Sequence, residues 1–340
     1  MNNLSLPPVA TTTVGSFPRP AWLASGPDRV IVTFQHEGQS LREAQDDATI
    51  VSLFEQEHAG LDLLTDGEQR RTSFIDHILA SWSGIDLGQR KLKTIRRGRG
   101  SQMMVPCVVD KVERRSTAVL DDFSFTKALT NRPIKMAVPG PMTVVDTTYD
   151  EVYGDEEALA MDVAAAINLE LLDLQSAGCD VVQIDEPAMT RYHEKVASYG
   201  ARALNRCLEG ATIPSIVHLC YGYPLNQTLQ HEYEYPELLE MLLDTRIGGF
   251  SVEFARSSYD PSVLRGCGDR LVMFGCVDPS DSPLEPVDLV VRRVRAALDY
   301  VDPRRLLLAP DCGLMMVSRD LAQAKVRLLL DVAQQVRQSL

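Results

Sequence analysis

Eight short runs of β-branched and apolar residues recur along this 340-residue chain, most of them followed by a longer stretch with helical spacing. The runs are 10–14, 61–65, 134–138, 180–184, 215–219, 249–253, 271–274 and 306–309, and the clearest helical stretches span about 40–59, 156–177 and 319 to the end. Alternation of this kind specifies a parallel sheet, because parallel neighbours need a crossover and a helix supplies it. Eight units predict an α/β chain folded as a (β/α)8 TIM barrel. A doubly wound sheet is the alternative, but no G-x-G-x-x-G follows the first run. The placement of polar residues favours the barrel. Ser16, Glu68, Asp185, His218, Glu253, Asp278 and Cys312 all stand at or just beyond the C-terminal end of a run. In a barrel those ends form one mouth, where active sites are built.

One interval breaks the rhythm. Residues 69–133 are far more than a barrel loop and helix require. The interval holds the basic run Arg90, Lys91, Lys93, Arg96, Arg97 and Arg99, then a strand-like stretch over 102–115. It predicts a β-hairpin inserted between strands two and three of a single domain spanning 1–340. The basic run reads either as a solvated strand face or as a contact for an anionic ligand or partner.

A net charge of -13 opposes binding to nucleic acid or anionic membranes. No apolar run approaches the roughly 18 residues that cross a bilayer, and the N-terminus lacks the features of a secretory signal. The expectation is a soluble, cytoplasmic protein. Its 7 cysteines, an odd count without regular spacing, do not suggest a disulfide framework.

Metal chemistry is the strongest functional signal. His218 and Cys220 stand two residues apart at the end of the fifth run, so strand periodicity puts both on one face. Glu253 closes the sixth run and Cys312 follows the eighth. Two thiolates, an imidazole and a carboxylate suit zinc (Zn2+), although an isolated buried His or Cys commonly just packs. A free thiol has a pKa of about 8.5 and reacts as its thiolate, so a metal that binds an incoming thiol activates it at neutral pH. Two cysteinate ligands favour alkyl transfer onto sulfur over hydrolysis, for which zinc sites more often use His and carboxylate ligands. The other cysteines, Cys107, Cys179, Cys207, Cys267 and Cys276, read as packing or surface residues, with Cys276 nearest the mouth. His36, His58, His77, His193 and His231 show no partner pattern. Asp278 reads equally as an orienting group or a turn cap. Tyr221 and Tyr223, and Met315 and Met316, read as pocket wall or as packing.

Six motifs extend the picture across the chain: Thr13-Val14-Gly15-Ser16-Phe17-Pro18, Asp66-Gly67-Glu68, Pro139-Gly140-Pro141-Met142-Thr143, Gln183-Ile184-Asp185-Glu186-Pro187-Ala188, His218-Leu219-Cys220-Tyr221 and Pro310-Asp311-Cys312-Gly313-Leu314. In order and placement they resemble the C-terminal catalytic barrel of the cobalamin-independent methionine synthase family, in its short core form without the N-terminal half. The resemblance implies that His218, Cys220, Glu253 and Cys312 ligate zinc. It also implies that Ser16 holds the homocysteine carboxylate and that Glu68 and Asp185 hold its ammonium group. Three departures concern the other substrate. Asp146-Thr147-Thr148-Tyr149 stands where the long enzymes carry an Asn-Trp-Ser segment that holds the pterin. Ser280 falls about where they carry a His, and Arg71-Thr72-Ser73 replaces their Arg-Asn-Asp. The expectation is therefore methyl transfer to homocysteine from a donor other than polyglutamylated methylfolate, presented by a corrinoid or a partner protein. Three alternatives remain. An epoxyalkane:coenzyme M transferase would want cations where Glu68 and Asp185 stand. A decarboxylase of the uroporphyrinogen type needs no zinc. The third is a non-catalytic zinc-binding barrel.

Overall fold

A computed structural model describes residues 5–25, 32–95, 101–221, 235–257 and 259–340. Arg96, Arg97 and Arg99 of the basic run, together with Tyr223 and His231, lie outside the described residues. The strands are β1 (Ala10–Thr11), β2 (Trp82–Ile95), β3 (Ser101–Arg114), β4 (Lys135–Pro139), β5 (Tyr149–Asp150), β6 (Val181–Asp185), β7 (Ser215–Leu219), β8 (Gly249–Glu253), β9 (Leu271–Val277) and β10 (Leu306–Pro310). Seven of them form one sheet in the order β1-β10-β9-β8-β7-β6-β4, each pair parallel.

Residues 61–65 complete the ring between β1 and β4. The Asp62 and Leu63 amides both donate to the Thr11 carbonyl, and Leu64 bonds both ways to the chain at Pro133 and Lys135. Among the described residues, the Leu64–Ile134 bridge is the one regular pairing of this stretch. The second expected strand is thus in place without forming a ladder. The Asp62 carboxylate takes over part of the pairing, accepting from the Thr11 amide and hydroxyl at 2.8 Å each. The closed parallel sheet is the TIM-barrel arrangement that the alternation predicts.

Barrel strands are buried on both faces, which is why they read as continuous apolar runs. Ala10, Val14, Leu63, Val181, Ile216, Met273, Leu307 and Ala309 pack as one cluster inside the barrel. Their neighbours Val182, Val217, Val272 and Leu308 point the other way, into the larger core beneath the helices. Helix Glu156–Ser176 begins at Asp155, whose carboxylate accepts from the Glu157 and Ala158 amides, and helix Gly38–Ala59 ends at Gly60 in the left-handed region. Among the described residues, no helix is long and apolar enough to cross a membrane.

The long interval contains helix Phe74–Leu79, the antiparallel β2–β3 hairpin and helix Leu120–Lys127. Glu170, fully buried, ties the return of the hairpin to helix Glu156–Ser176. It accepts from Arg114 Nε at 2.8 Å and from the Ala118 and Val119 amides at 3.0 and 2.7 Å. The described part of the basic run turns back onto the chain. Arg90 pairs with Asp76, Lys91 with Glu151, and Lys93 Nζ donates to the Val145 and Thr148 carbonyls.

Candidate metal and substrate site

The parallel strands deliver two soft thiol donors and a borderline imidazole to one point at the mouth. His218 on β7, Cys220 just beyond it and Cys312 just beyond β10 place their ligand atoms within 4.8 Å of one another. His218 Nδ1 is fixed by the Ser251 hydroxyl at 2.7 Å, while its buried Nε2 has no hydrogen-bond partner of good geometry among the described residues. An imidazole oriented through one nitrogen, with the other left over beside two thiols, is how a histidine ligand is prepared. The donor chemistry, two thiols and an imidazole, fits zinc.

Without a metal, the sulfurs share the charge unequally. A hydrogen bond from Cys312, aided by His218, holds Cys220 well below the ordinary thiol range, while the same bond and burial push Cys312 up. Burial disfavours the imidazolium of His218, but the Cys220 sulfur and the Asp185 carboxylate outweigh it and raise its pKa. Glu253 ends β8 and is buried, yet its carboxylate lies outside the 4.8 Å set. Burial first, then Cys220 and Asp311, push its pKa well up.

Two residues that sequence reasoning passed over hold these strand ends together. Asp311 Oδ1 accepts from the Phe254 and Ala255 amides at 3.0 and 2.9 Å, and Oδ2 accepts from Arg256 at 2.9 Å. One carboxylate thus binds the turn after Glu253 to the loop that carries Cys312. Gly275 makes room for it, since a Cβ there would stand 2.4 Å from Asp311 Oδ1. The Tyr235 hydroxyl donates to the Leu219 carbonyl at 2.7 Å and accepts from the Glu253 amide at 3.0 Å. Asp311 could have been noticed as the neighbour of Cys312; nothing in the sequence pointed to Tyr235.

Ser16, Glu68 and Asp185 line a cavity of about 220 Å3 together with His218, Cys220 and Cys312. Glu68 adopts φ 56, a left-handed conformation rare outside glycine, and the Asp66 carboxylate accepts from its amide at 3.1 Å. Gly15 is required opposite, because a Cβ there would meet Glu68 Oε1 at 2.5 Å. Arg71, fully buried, supplies positive charge 3.8 Å from Glu68 and 3.5 Å from Asp66. Its value to the site was not apparent from the motif. Burial raises the Glu68 pKa against the opposing pull of Arg71. Asp185 is pushed up to about 7 by burial, with His218 opposing. The Ser16 carbonyl accepts from the Leu314 amide at 2.8 Å, which links this wall to the Cys312 loop.

The hairpin covers the cavity with Ile95, Met103, Val105 and Pro106, and Met315 lines it from the far side. Tyr149 is not in this lining; it sits in β5 beneath Lys91 and supplies no aromatic platform. Tyr221 packs among Tyr235 and Tyr259. Asp278 caps a turn by accepting from the Ser280 amide at 2.8 Å, and Cys276 is buried in the core.

A closed parallel barrel whose mouth gathers thiols, an imidazole and buried carboxylates around one small cavity belongs to the class of barrel enzymes that act on small molecules. Comparison with known proteins narrows this. Residues 9–335 match the family described as cobalamin-independent synthase, catalytic domain. The chain is 31% identical to a methionine synthase of Pyrococcus abyssi, covering 99% of this chain and 95% of that protein. It is 30% identical to one from Sulfurisphaera tokodaii, with 98% and 94% covered. Among solved structures, a B12-independent methionine synthase from Shewanella sp. W3-18-1 in complex with selenomethionine superposes with a TM-score of 0.92. That protein shares 32% identity, and the match covers 98% of this chain and 99% of it. A methyltransferase from Methanosarcina mazei, at 15% identity and a TM-score of 0.64, shares the fold. The chain belongs to the cobalamin-independent methionine synthase family and is a methyltransferase.

Proposed function

We propose that the protein transfers a methyl group to the sulfur of homocysteine, giving methionine, in the cytoplasm and as one barrel domain over 1–340. One observation carries this reading: the thiol–imidazole cluster and the buried carboxylates Glu68 and Asp185 open on the same small cavity. His218, Cys220 and Cys312, with Glu253 as the fourth ligand, would hold zinc, which when bound keeps a substrate thiol deprotonated at neutral pH. The chain's own groups do the rest. Glu68 and Asp185 receive the ammonium group, Ser16 the carboxylate, and the apolar hairpin residues exclude water from the sulfur. The methyl carbon must then meet the sulfur in line, so orientation by these groups is their contribution to rate.

The donor is taken to be other than polyglutamylated methylfolate, presented by a corrinoid or a partner protein. The cavity supports this, because about 220 Å3 suits an amino acid and is below the roughly 300–1,000 Å3 of pockets for drug-sized ligands. Tyr149 also stands away from the lining.

Calorimetric titration of zinc-loaded protein with homocysteine and with coenzyme M, in buffers of different ionisation heat, tests the acceptor. Homocysteine should bind with proton release that Cys312→Ser abolishes. Binding of coenzyme M alone would replace this reading with thiol alkylation of the epoxide-opening kind. Failure of both thiols to bind metallated protein would leave a non-catalytic zinc barrel.

A further inference from the structure

Beneath the mouth, a lysine is sealed inside the barrel. Lys135 on β4 is 1% exposed, and its Nζ donates to the Val14 carbonyl at 2.7 Å and to Gln183 Oε1. Gln183 on β6 is fully buried, and its Nε2 donates to Asp185 Oδ1 at 2.7 Å. The register of β4 and β6 pairs Ala137 with Gln183 and Pro139 with Asp185, so the chain of contacts climbs from the barrel interior to its rim. Residues 183 and 185 share a face because strand side chains alternate.

The polarity of this chain is fixed by chemistry. An ammonium group has donors only, so the amide must turn its oxygen to Lys135. Its NH2 then faces Asp185, and an NH2 only donates, so Asp185 must accept there. One carboxylate oxygen is thereby pinned. Asp185 lines the cavity, so it meets the ligand as a group already held in one orientation. A buried lysine is costly unless paired, and here it offsets carboxylates that would otherwise gather like charge beneath one small cavity.

We infer that Lys135 and Gln183 form a positioning pair that holds Asp185 as an oriented acceptor, and that this pair sets the preference of the cavity for ligands bearing an ammonium group. The inference rests on the reading that Asp185 faces the amino group of the substrate, and its test separates the two. The product side is used because it needs no thiol. L-Methionine and its desamino analogue, 4-(methylthio)butanoate, are titrated into wild type, Gln183→Glu, Gln183→Met and Lys135→Met, each zinc-loaded and metal-free, with circular dichroism checking the fold.

Wild type should favour L-methionine by about 100-fold or more, since a site built to pair a polar group rejects the analogue lacking it. Gln183→Glu keeps a partner for Lys135 but turns the donor facing Asp185 into a like charge. Its preference should fall at least tenfold, through weaker L-methionine binding with the analogue unchanged. Lys135→Met, which frees the amide to flip, should fall in the same direction by less. Folded variants that keep the wild-type ratio, or that lose both ligands equally as a structural defect would, overturn the inference while leaving the amino-acid reading intact. A wild type without preference overturns both.

Discussion

Asp311 shows how much of a cluster of candidate metal ligands can rest on a residue outside the cluster. Its two oxygens accept three backbone amides that begin one residue after Glu253, while its own chain neighbour is Cys312. In Asp311→Asn, one of those acceptors becomes an NH2 facing an N–H. We expect stability to fall by about 1–3 kcal/mol, the cost of leaving a buried donor unpaired, and zinc affinity to fall about 10–100-fold, as for other residues that orient ligands. Urea denaturation and a chelator competition titration measure the two. Unchanged affinity in a destabilised protein would confine Asp311 to folding. Direct removal of a donor is the control: Cys220→Ser should reduce bound zinc far below one per chain by atomic absorption. The sequence made His218, Cys220 and Cys312 legible because spacing and strand ends converge on them. It hid Asp311 because its partners are main-chain amides, which leave no side-chain pattern to read.

At the scale of elements, the barrel strands were legible where burial on both faces makes them continuous apolar runs. Ser215–Leu219 and Gly249–Glu253 match their expected spans, and β9 extends three residues further, to Val277. Residues 61–65 read as a strand but form only a bridge, since the Asp62 side chain bonds where the backbone would. In the hairpin, 102–115 was visible, whereas β2 was hidden by the charges along it. Those charges reach Asp76, Glu151 and two carbonyls, so they fasten the hairpin over the mouth. Its other fastening is Glu170. Glu170→Ala leaves the Arg114 guanidinium and two amides without their acceptor, and removing one partner of a buried pair costs roughly 3–5 kcal/mol. Arg114 also reaches Asp173, so the expected loss is at the lower end, about 3 kcal/mol by chemical denaturation. A loss under about 1 kcal/mol would mean that the hairpin is held by its apolar contacts alone.

The whole molecule carries an unusual proton balance. Asp185, Glu186 and Asp311 are each pushed up to about 7, in every case chiefly by burial. A carboxyl whose folded value lies above its unfolded value binds its proton more tightly in the fold. Its contribution is full below the ordinary carboxylate range and is lost as pH rises through about 7. Metal-free protein should therefore lose stability between about pH 4 and pH 7, with Glu186→Gln shallower than wild type. Glu186 is the cleanest probe, because it accepts from the Met142 and Thr143 amides and the Thr143 hydroxyl and does not line the cavity. Zinc must act in the opposite sense. Its thiol ligands bind as thiolates, so protons compete with the metal at low pH and the stabilisation from binding grows as pH rises. The gap in Tm between zinc-loaded and metal-free protein should widen from pH 5 to pH 8 and collapse in Cys312→Ser. A gap that stayed constant over that range would show that the bound ion is held by groups that do not titrate there, and would remove the cysteines from the site.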